Sequence, residues 1–300
     1  MGLDLSIVGR ESSRFTMSYD EKTVALYALG VGAKKPELSF LYENAEGGMK
    51  VLPTFAVVPA FAPLMGLLAA CGGDMSMVVH GAQKVRLFGA IPARATVATV
   101  AKAIGLYDLK KFAQLILTTT THLVSADGSD GPKLFETTWS IIFRGAGGFA
   151  GPRPPENDAP SVPKDRPAEW ELEESTSPEQ ALLYRLSGDP NPLHADPAFA
   201  ERVGFPQGPI LHGLCTFGYA GRAALLHACG DDPTRLVGFG AQFRRPVWPG
   251  DTLLTRGWRV SPDSDLSASE TRWVLDTRVK ERDEAVLGGA YADVAPKALG

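Results

Sequence analysis

The sequence predicts an α+β chain in which one structural unit is used twice. Short motifs recur at a nearly constant offset, and each half reads as helix signals followed by strands with no helix between them. The 300-residue length agrees, at roughly 150 residues per unit.

The repeat rests on two matches. SYDEKTVALYALGVGA (18–33) resembles STSPEQALLYRLSGDP (175–190), with Leu26-Tyr27 on Leu183-Tyr184 at an offset of 157 (Tyr27 to Tyr184). Gly81-Ala82-Gln83 recurs as Gly240-Ala241-Gln242 at an offset of 159 (Gly81 to Gly240). The same order and spacing in both halves point to duplication rather than coincidence. Residues 1–144 form the first unit, 145–166 (GAGGFAGPRPPENDAPSVPKDR) an extended Gly/Pro-rich linker, and 167–300 the second unit.

In the first unit, Ser18 and Glu21 have capping-box spacing and predict a helix that ends at Gly30. The apolar stretch 54–71 contains Pro59, Pro63 and Gly66, and reads as a buried helix or loop rather than a membrane span. Strand patterns follow at 77–88, 96–103, 114–124 and 134–143. In the second unit, Ser177-Pro178-Glu179-Gln180 reads as N-cap, first-turn proline and capping-box partner of a helix ending at Gly188. Another helix begins near His212 and runs through Leu214, Phe217, Ala220 and Leu225, followed by strands at 236–243, 252–260, 271–280 and 285–294.

Composition excludes several classes. Hydrophobic residues make up 44% and charged residues 21%, as in ordinary globular chains. Three cysteines (Cys71, Cys215, Cys229), none in a CxxC pair, give neither a disulfide framework nor a structural zinc site, and suit a reducing compartment. Net charge is −4 and the bases are scattered, so no nucleic-acid partner is expected. The start, MGLDLSIVGRESSR, lacks a signal-peptide pattern, and the final Ala-Leu-Gly is no peroxisomal tripeptide. A soluble cytoplasmic protein without membrane contact is the expectation.

The polar constellation occurs in one copy. After Gly188 come Asp189, Asn191, His194 and Asp196, interrupted by Pro190, Pro192 and Pro197, which restrict the loop. An Asp and a His can hold one water between an acceptor and a proton carrier, which suits general acid–base work. Asp followed by Asn-Pro is equally ordinary turn chemistry. The repeat favours function, because Asp189 corresponds to Gly32 and His194 to Glu37 in the other copy. Pro209-Ile210-Leu211-His212-Gly213 then stands where a helix starts. The Gly213 amide can stabilise a developing oxyanion there, or Gly213 is simply a flexible entry to a buried helix. His212 reads as a positioning or core histidine, and Cys215 as a buried thiol rather than a nucleophile. Asp189, His194, Asp196 and His212 lack metal-ligand spacing, so no metal site is expected. GxSxG, P-loop and dinucleotide fingerprints are missing.

The run Ser187-Gly188-Asp189-Pro190-Asn191-Pro192-Leu193-His194-Ala195-Asp196-Pro197, with Gly204-Phe205 and Pro209-Ile210-Leu211-His212-Gly213-Leu214, resembles the signature of the (R)-specific enoyl-CoA hydratase 2 family, within the MaoC-like dehydratases. The resemblance implies a tandem hot-dog fold, each copy a long helix wrapped by a curved antiparallel sheet, with an N-terminal copy that lacks the catalytic residues and shapes the acyl-chain and CoA pocket. It implies syn hydration of trans-2-enoyl-CoA to (3R)-3-hydroxyacyl-CoA. By this resemblance Asp189 and His194 are the catalytic dyad, Asn191 joins them, and the Gly213 amide binds the thioester carbonyl. His80, Gly81, Lys110 (or Lys111) and Phe243 fall on substrate contacts. The family's Glu-Gln after His-Gly is here Ala82-Gln83, and Gly208 is a one-residue insertion. The resemblance implies no metal or redox cofactor, coenzyme A arriving only within the substrate, and a monomer or homodimer. The competing functions are a non-catalytic acyl-CoA-binding protein and a hot-dog thioesterase.

Overall fold

Strict alternation builds the sheet. Along Phe112–Val124, Ala113, Leu115, Leu117, Thr119 and Thr121 are buried while Gln114, Ile116, Thr118 and Thr120 turn to the other face, the period of two that a half-buried strand requires. The computed structural model describes residues 2–156, 159–260 and 269–297; the C-terminal Ala-Leu-Gly and part of the expected linker lie outside them. The first half contains β1 (Phe15–Tyr19), α1 (Glu21–Gly30), α2 (Val57–Ala70), β2 (Val78–Leu87), β3 (Ala95–Asp108), β4 (Phe112–Val124) and β5 (Asp130–Arg144). The second contains β6 (Trp170–Ser175), α3 (Gln180–Tyr184), α4 (Pro197–Arg202), α5 (Gly213–Ala228), β7 (Leu236–Phe243), β8 (Thr252–Val260), β9 (Thr271–Val279) and β10 (Glu284–Val294).

Among the described residues ten strands form one antiparallel sheet in the order β1-β3-β4-β5-β2-β7-β10-β9-β8-β6. Counted from either edge, each half runs first, third, fourth, fifth, second strand, so the two halves have one topology. They join where β2 pairs with β7, and there the two Gly-Ala-Gln motifs face each other: Ala82 opposite Gln242 and Gln83 opposite Ala241. The apolar segment 53–70 supplies α2, which lies on β3 and β4 with Leu64, Leu67 and Leu68 buried. Its counterpart α5 packs against β7 and β10, buried almost continuously from Leu214 to Leu225.

Three differences from the sequence reading have local causes. Ser18 does not cap α1; it lies in β1 opposite Thr96, and Asp20 caps the helix by accepting from the Thr23 amide at 3.0 Å. In α3 the Ser177 hydroxyl accepts from the Glu179 amide at 3.0 Å, but the α-helix starts only at Gln180 and tightens after Tyr184 into a 3₁₀ turn. Gln180 keeps its capping-box contact, its Oε1 accepting from the Ser177 amide at 3.4 Å, and its Nε2 also donates across the repeat boundary to Gly30 O at 2.7 Å. Edge strands β1 and β6 are five and six residues long, too short to announce a period.

The halves are also tied by Arg222 of α5, 1% exposed. Its Nε donates to Val31 O at 3.1 Å, Nη1 to Glu37 at 2.7 Å, and Nη2 to Glu174 of β6. Nearby, Gly32 has φ +85°, and a Cβ there would stand 2.3 Å from the Tyr219 ring. Gly32→Ala is therefore expected to destabilise the fold by about 2–4 kcal/mol, combining left-handed strain with overpacking. Urea unfolding measures this, and an unchanged midpoint would contradict it.

Candidate active site

The loop that carries the polar residues is launched by backbone geometry. Gly188, at φ +119°, ends the 3₁₀ turn after α3 and turns the chain toward α5. Asp189 Oδ1 accepts from the Asn191 amide at 3.1 Å, and Asn191 Oδ1 accepts from the Leu193 amide at 3.0 Å, capping the turn that holds His194. Asp196 caps α4 through the Ala198 and Phe199 amides. The side-chain oxygens of Asn191 and Asp196, together with Asp189 Oδ1, therefore hold the loop, while the other carboxylate oxygen of Asp189 and the ring of His194 are left to meet a ligand.

His194 is buried and its Nδ1–H donates to Ile210 O at 2.8 Å. A carbonyl only accepts, so the neutral ring carries its proton on Nδ1 and presents a bare Nε2. His212, the N-cap of α5, stacks on His194 with ring centroids 3.7 Å apart. Its Nε2–H donates to Asp189 O at 3.3 Å, and its buried Nδ1 has no partner among the described residues. Burial pushes the His194 pKa below the ordinary imidazole value, against the opposing Ile210 bond and Asp189 charge. Burial, and then His194 itself, push His212 down to about 2. Both rings are neutral near pH 7.

Ligating atoms of Asp189, His194 and His212 come within 4.8 Å of one another, closer than their sequence spacing suggested. Asp196 stays outside this group. The Cys215 thiol is pushed well up by burial and donates to Gly30 O at 3.2 Å, which leaves it no nucleophilic role.

Gly213 begins α5, and amides in a first helical turn lack intrahelical acceptors. A Cβ at Gly213 would stand 3.1 Å from the Phe243 ring. Phe243 ends β7 and lies 4.7 Å from His80 of β2, which stacks on Trp139 at 5.0 Å. His80 and Phe243 thus come from the two central strands to meet beside the Gly213 end of α5. Burial pushes His80 down to about 4, and its Nε2–H donates to Ala82 O at 3.0 Å. Gly81 sits in a β-bulge, where a Cβ would stand 3.0 Å from Ile142. Ala82 leaves no carboxylate at the position where the family has Glu.

Lys110 is not brought to this group. It is exposed at the β3–β4 hairpin with φ +69°, its amide held by Asp108 at 2.8 Å. Among the described residues neither Lys110 nor Lys111 bonds to the other candidates. Sequence reasoning missed Trp139, which reaches His80 through the β2–β5 register and has no local signal. It left open the role of His212, which stands 18 positions from His194 (194 to 212) yet stacks upon it.

The tandem helix-and-sheet scaffold defines a double hot-dog protein, with two stacked histidines and a carboxylate at the N-terminus of α5 as its candidate site. Family profiles match in both halves: the MFE-2 hydratase 2 N-terminal domain over residues 17–145 and the MaoC like domain over 160–278. The chain is 38% identical over 300 aligned positions to "Enoyl-CoA hydratase 2, peroxisomal" of Arabidopsis thaliana, covering 94% of this chain and 91% of that one. It is 37% identical over 255 positions to "Probable enoyl-CoA hydratase 2" of Dictyostelium discoideum, covering 83% and 85%. The crystal structure of a MaoC-like dehydratase from Phytophthora capsici superposes with a TM-score of 0.83 at 28% identity, covering 99% of each chain. The chain belongs to the (R)-specific enoyl-CoA hydratase 2 family of MaoC-like dehydratases.

Proposed function

We infer that this enzyme catalyses reversible hydration of trans-2-enoyl-CoA to (3R)-3-hydroxyacyl-CoA, with the water held between Asp189 and His194. The observation that carries the acid–base assignment is the bare Nε2 of His194 beside Asp189, fixed by the Nδ1–H bond to Ile210 O. A water there donates one hydrogen to the carboxylate and the other to Nε2. The thioester carbonyl oxygen rests on the Gly213 amide at the positive end of α5, which draws electron density from C3. As the water oxygen bonds to C3, Nε2 takes its proton; the imidazolium, balanced by Asp189, returns a proton to C2 from the same face. Addition is therefore syn, and no net proton is gained or lost.

Met17, Leu26, Phe55, Val58, Leu186 and Gly188 line a cavity of about 160 Å³ between the first half and the catalytic loop. It supports an acyl-chain path through the repeat that lacks the dyad. The cytoplasmic location expected from the sequence is not a family property, since the Arabidopsis relative is named as peroxisomal.

The test follows the ultraviolet absorbance of an enoyl-CoA alongside a thiol reagent. Hydration removes the conjugated absorbance and leaves no free thiol; a thioesterase releases thiol, and a binding protein changes neither. The pH profile provides a second check. The base must be unprotonated, and burial lowers its pKa, so the acid limb of kcat is expected below the ordinary value of 6.5. An acid limb at or above that value would contradict His194 as the base.

A further inference from the structure

A column of buried rings begins in the first repeat and ends on His194. Tyr19 meets Phe55 at 5.0 Å, and Phe55 meets Tyr27 at 5.5 Å, both edge to face. Tyr27 lies 6.1 Å from Tyr184, Tyr184 lies 4.9 Å from His212, and His212 stacks on His194 at 3.7 Å. The crossing from one repeat to the other falls at Tyr27 and Tyr184, the tyrosines that correspond in the duplicated motif. The junction is pinned beside them, where Gln180 Nε2 and Cys215 Sγ both donate to Gly30 O.

The catalytic ring needs this support. One hydrogen bond, from Nδ1 to Ile210 O, fixes the edge of His194 but leaves rotation of the ring plane about that bond, because the terminal χ angle of His is broad. The plane is set by stacking on His212. Among the described residues His212 has one long bond of 3.3 Å and an Nδ1 without a partner, so its own plane depends on Tyr184. Tyr184 in turn rests on Tyr27. The Tyr27 hydroxyl faces Thr54, and among the described residues it bonds to neither Tyr184 nor His212, so what the position offers those two residues is its ring.

We propose that Tyr27, in the repeat that lacks the acid–base pair, is a positioning residue for the reaction, holding the plane of His194 through Tyr184 and His212. The proposal rests on the assignment of Asp189 and His194 as the dyad. It gives the first repeat a part in the chemistry in addition to the shape of the acyl path.

The experiment compares full-length Tyr27→Leu, Tyr27→Phe, Asp189→Asn and Val279→Ala with the parent, using crotonyl-CoA. Val279 is a fully buried residue of β9, outside the column, and controls for general loss of core packing. Tyr27→Leu is expected to lower kcat about 10-fold while KM stays within about 2-fold, as for a reacting group displaced by a fraction of an ångström. Its acid limb moves up toward the ordinary histidine range as water reaches the loosened stack. The groups facing the two rings are the Asp189 carboxylate, Arg185 and the Tyr184 phenol, and none is altered. Tyr27→Phe restores both kcat and the profile, and Val279→Ala loses thermal stability without losing kcat. If Tyr27→Leu fails to fold, Tyr27→Met, a flexible filler with no ring plane, takes its place. Unchanged kcat and acid limb in the Leu or Met variant overturn the proposal, as does an equal kcat loss in Val279→Ala. Full activity in Asp189→Asn would instead overturn the dyad assignment, which separates the two failures.

Discussion

Asp189→Asn is expected to lower kcat/KM for enoyl-CoA hydration by about 10²–10⁴-fold, with the thermal midpoint shifted by no more than a few degrees. The carboxamide has nearly the shape of the carboxylate, and its oxygen still accepts from the Asn191 amide, so the loop keeps its turn. The negative charge is lost. In the proposed mechanism that charge orients the water and offsets the imidazolium that forms on His194 while the proton is in transit. His194→Gln should cost a similar factor, because its amide cannot shuttle a proton even where it fills the space beside Ile210. The two losses should not add, since both residues serve one water. Steady-state hydration rates measure this, and near-parental rates in both variants would remove the dyad from the mechanism.

The largest effect on stability is expected at Arg222. Arg222→Met is expected to cost about 3–5 kcal/mol, because it removes the guanidinium that bridges Glu37 and Glu174 at the junction and leaves Glu174 with the more distant Lys34 Nζ at 3.7 Å. Glu174 is 8% exposed, Arg222 is 1% exposed, and the Val31 carbonyl also loses its donor. The change acts on the contact between repeats, because Glu37 and Val31 belong to one half and Arg222 and Glu174 to the other. Arg222→Met combined with Glu174→Gln should recover part of the loss, since one stranded charge is then gone. Urea unfolding of the single and double variants checks both statements. A single-variant loss below about 1 kcal/mol would mean that water already reaches the network.

Much of the architecture was legible because it is written locally. Strands β7 and β8 begin and end where alternation places them, and the repeated Gly-Ala-Gln motif proved to mark the β2–β7 seam. The N-terminus of α5 was legible from a proline, a histidine and a glycine in series. The rest depends on contacts that a linear pattern does not carry. Asp20 displaced Ser18 as a cap because β1 claimed Ser18 for pairing with Thr96. Lys110 was assigned to the substrate by resemblance alone, and its exposed place on the β3–β4 hairpin has no local sequence signal that ties it to the other candidates. The stacking of His212 on His194 and the reach of Arg222 to Glu37 need the packed junction before they exist. Asp189 and His194 were visible because a rigid proline-rich loop holds them close in sequence, whereas the aromatic column joins residues from both repeats.

Hydration in D₂O addresses the central claim most directly, because one water and one acid–base pair on a single face impose the stereochemistry of addition. The account predicts a (3R)-3-hydroxyacyl-CoA with deuterium at C2 on the same side as the C3 hydroxyl, and no product from Asp189→Asn above a percent-level background. A (3S) product, or deuterium on the opposite face, would contradict it.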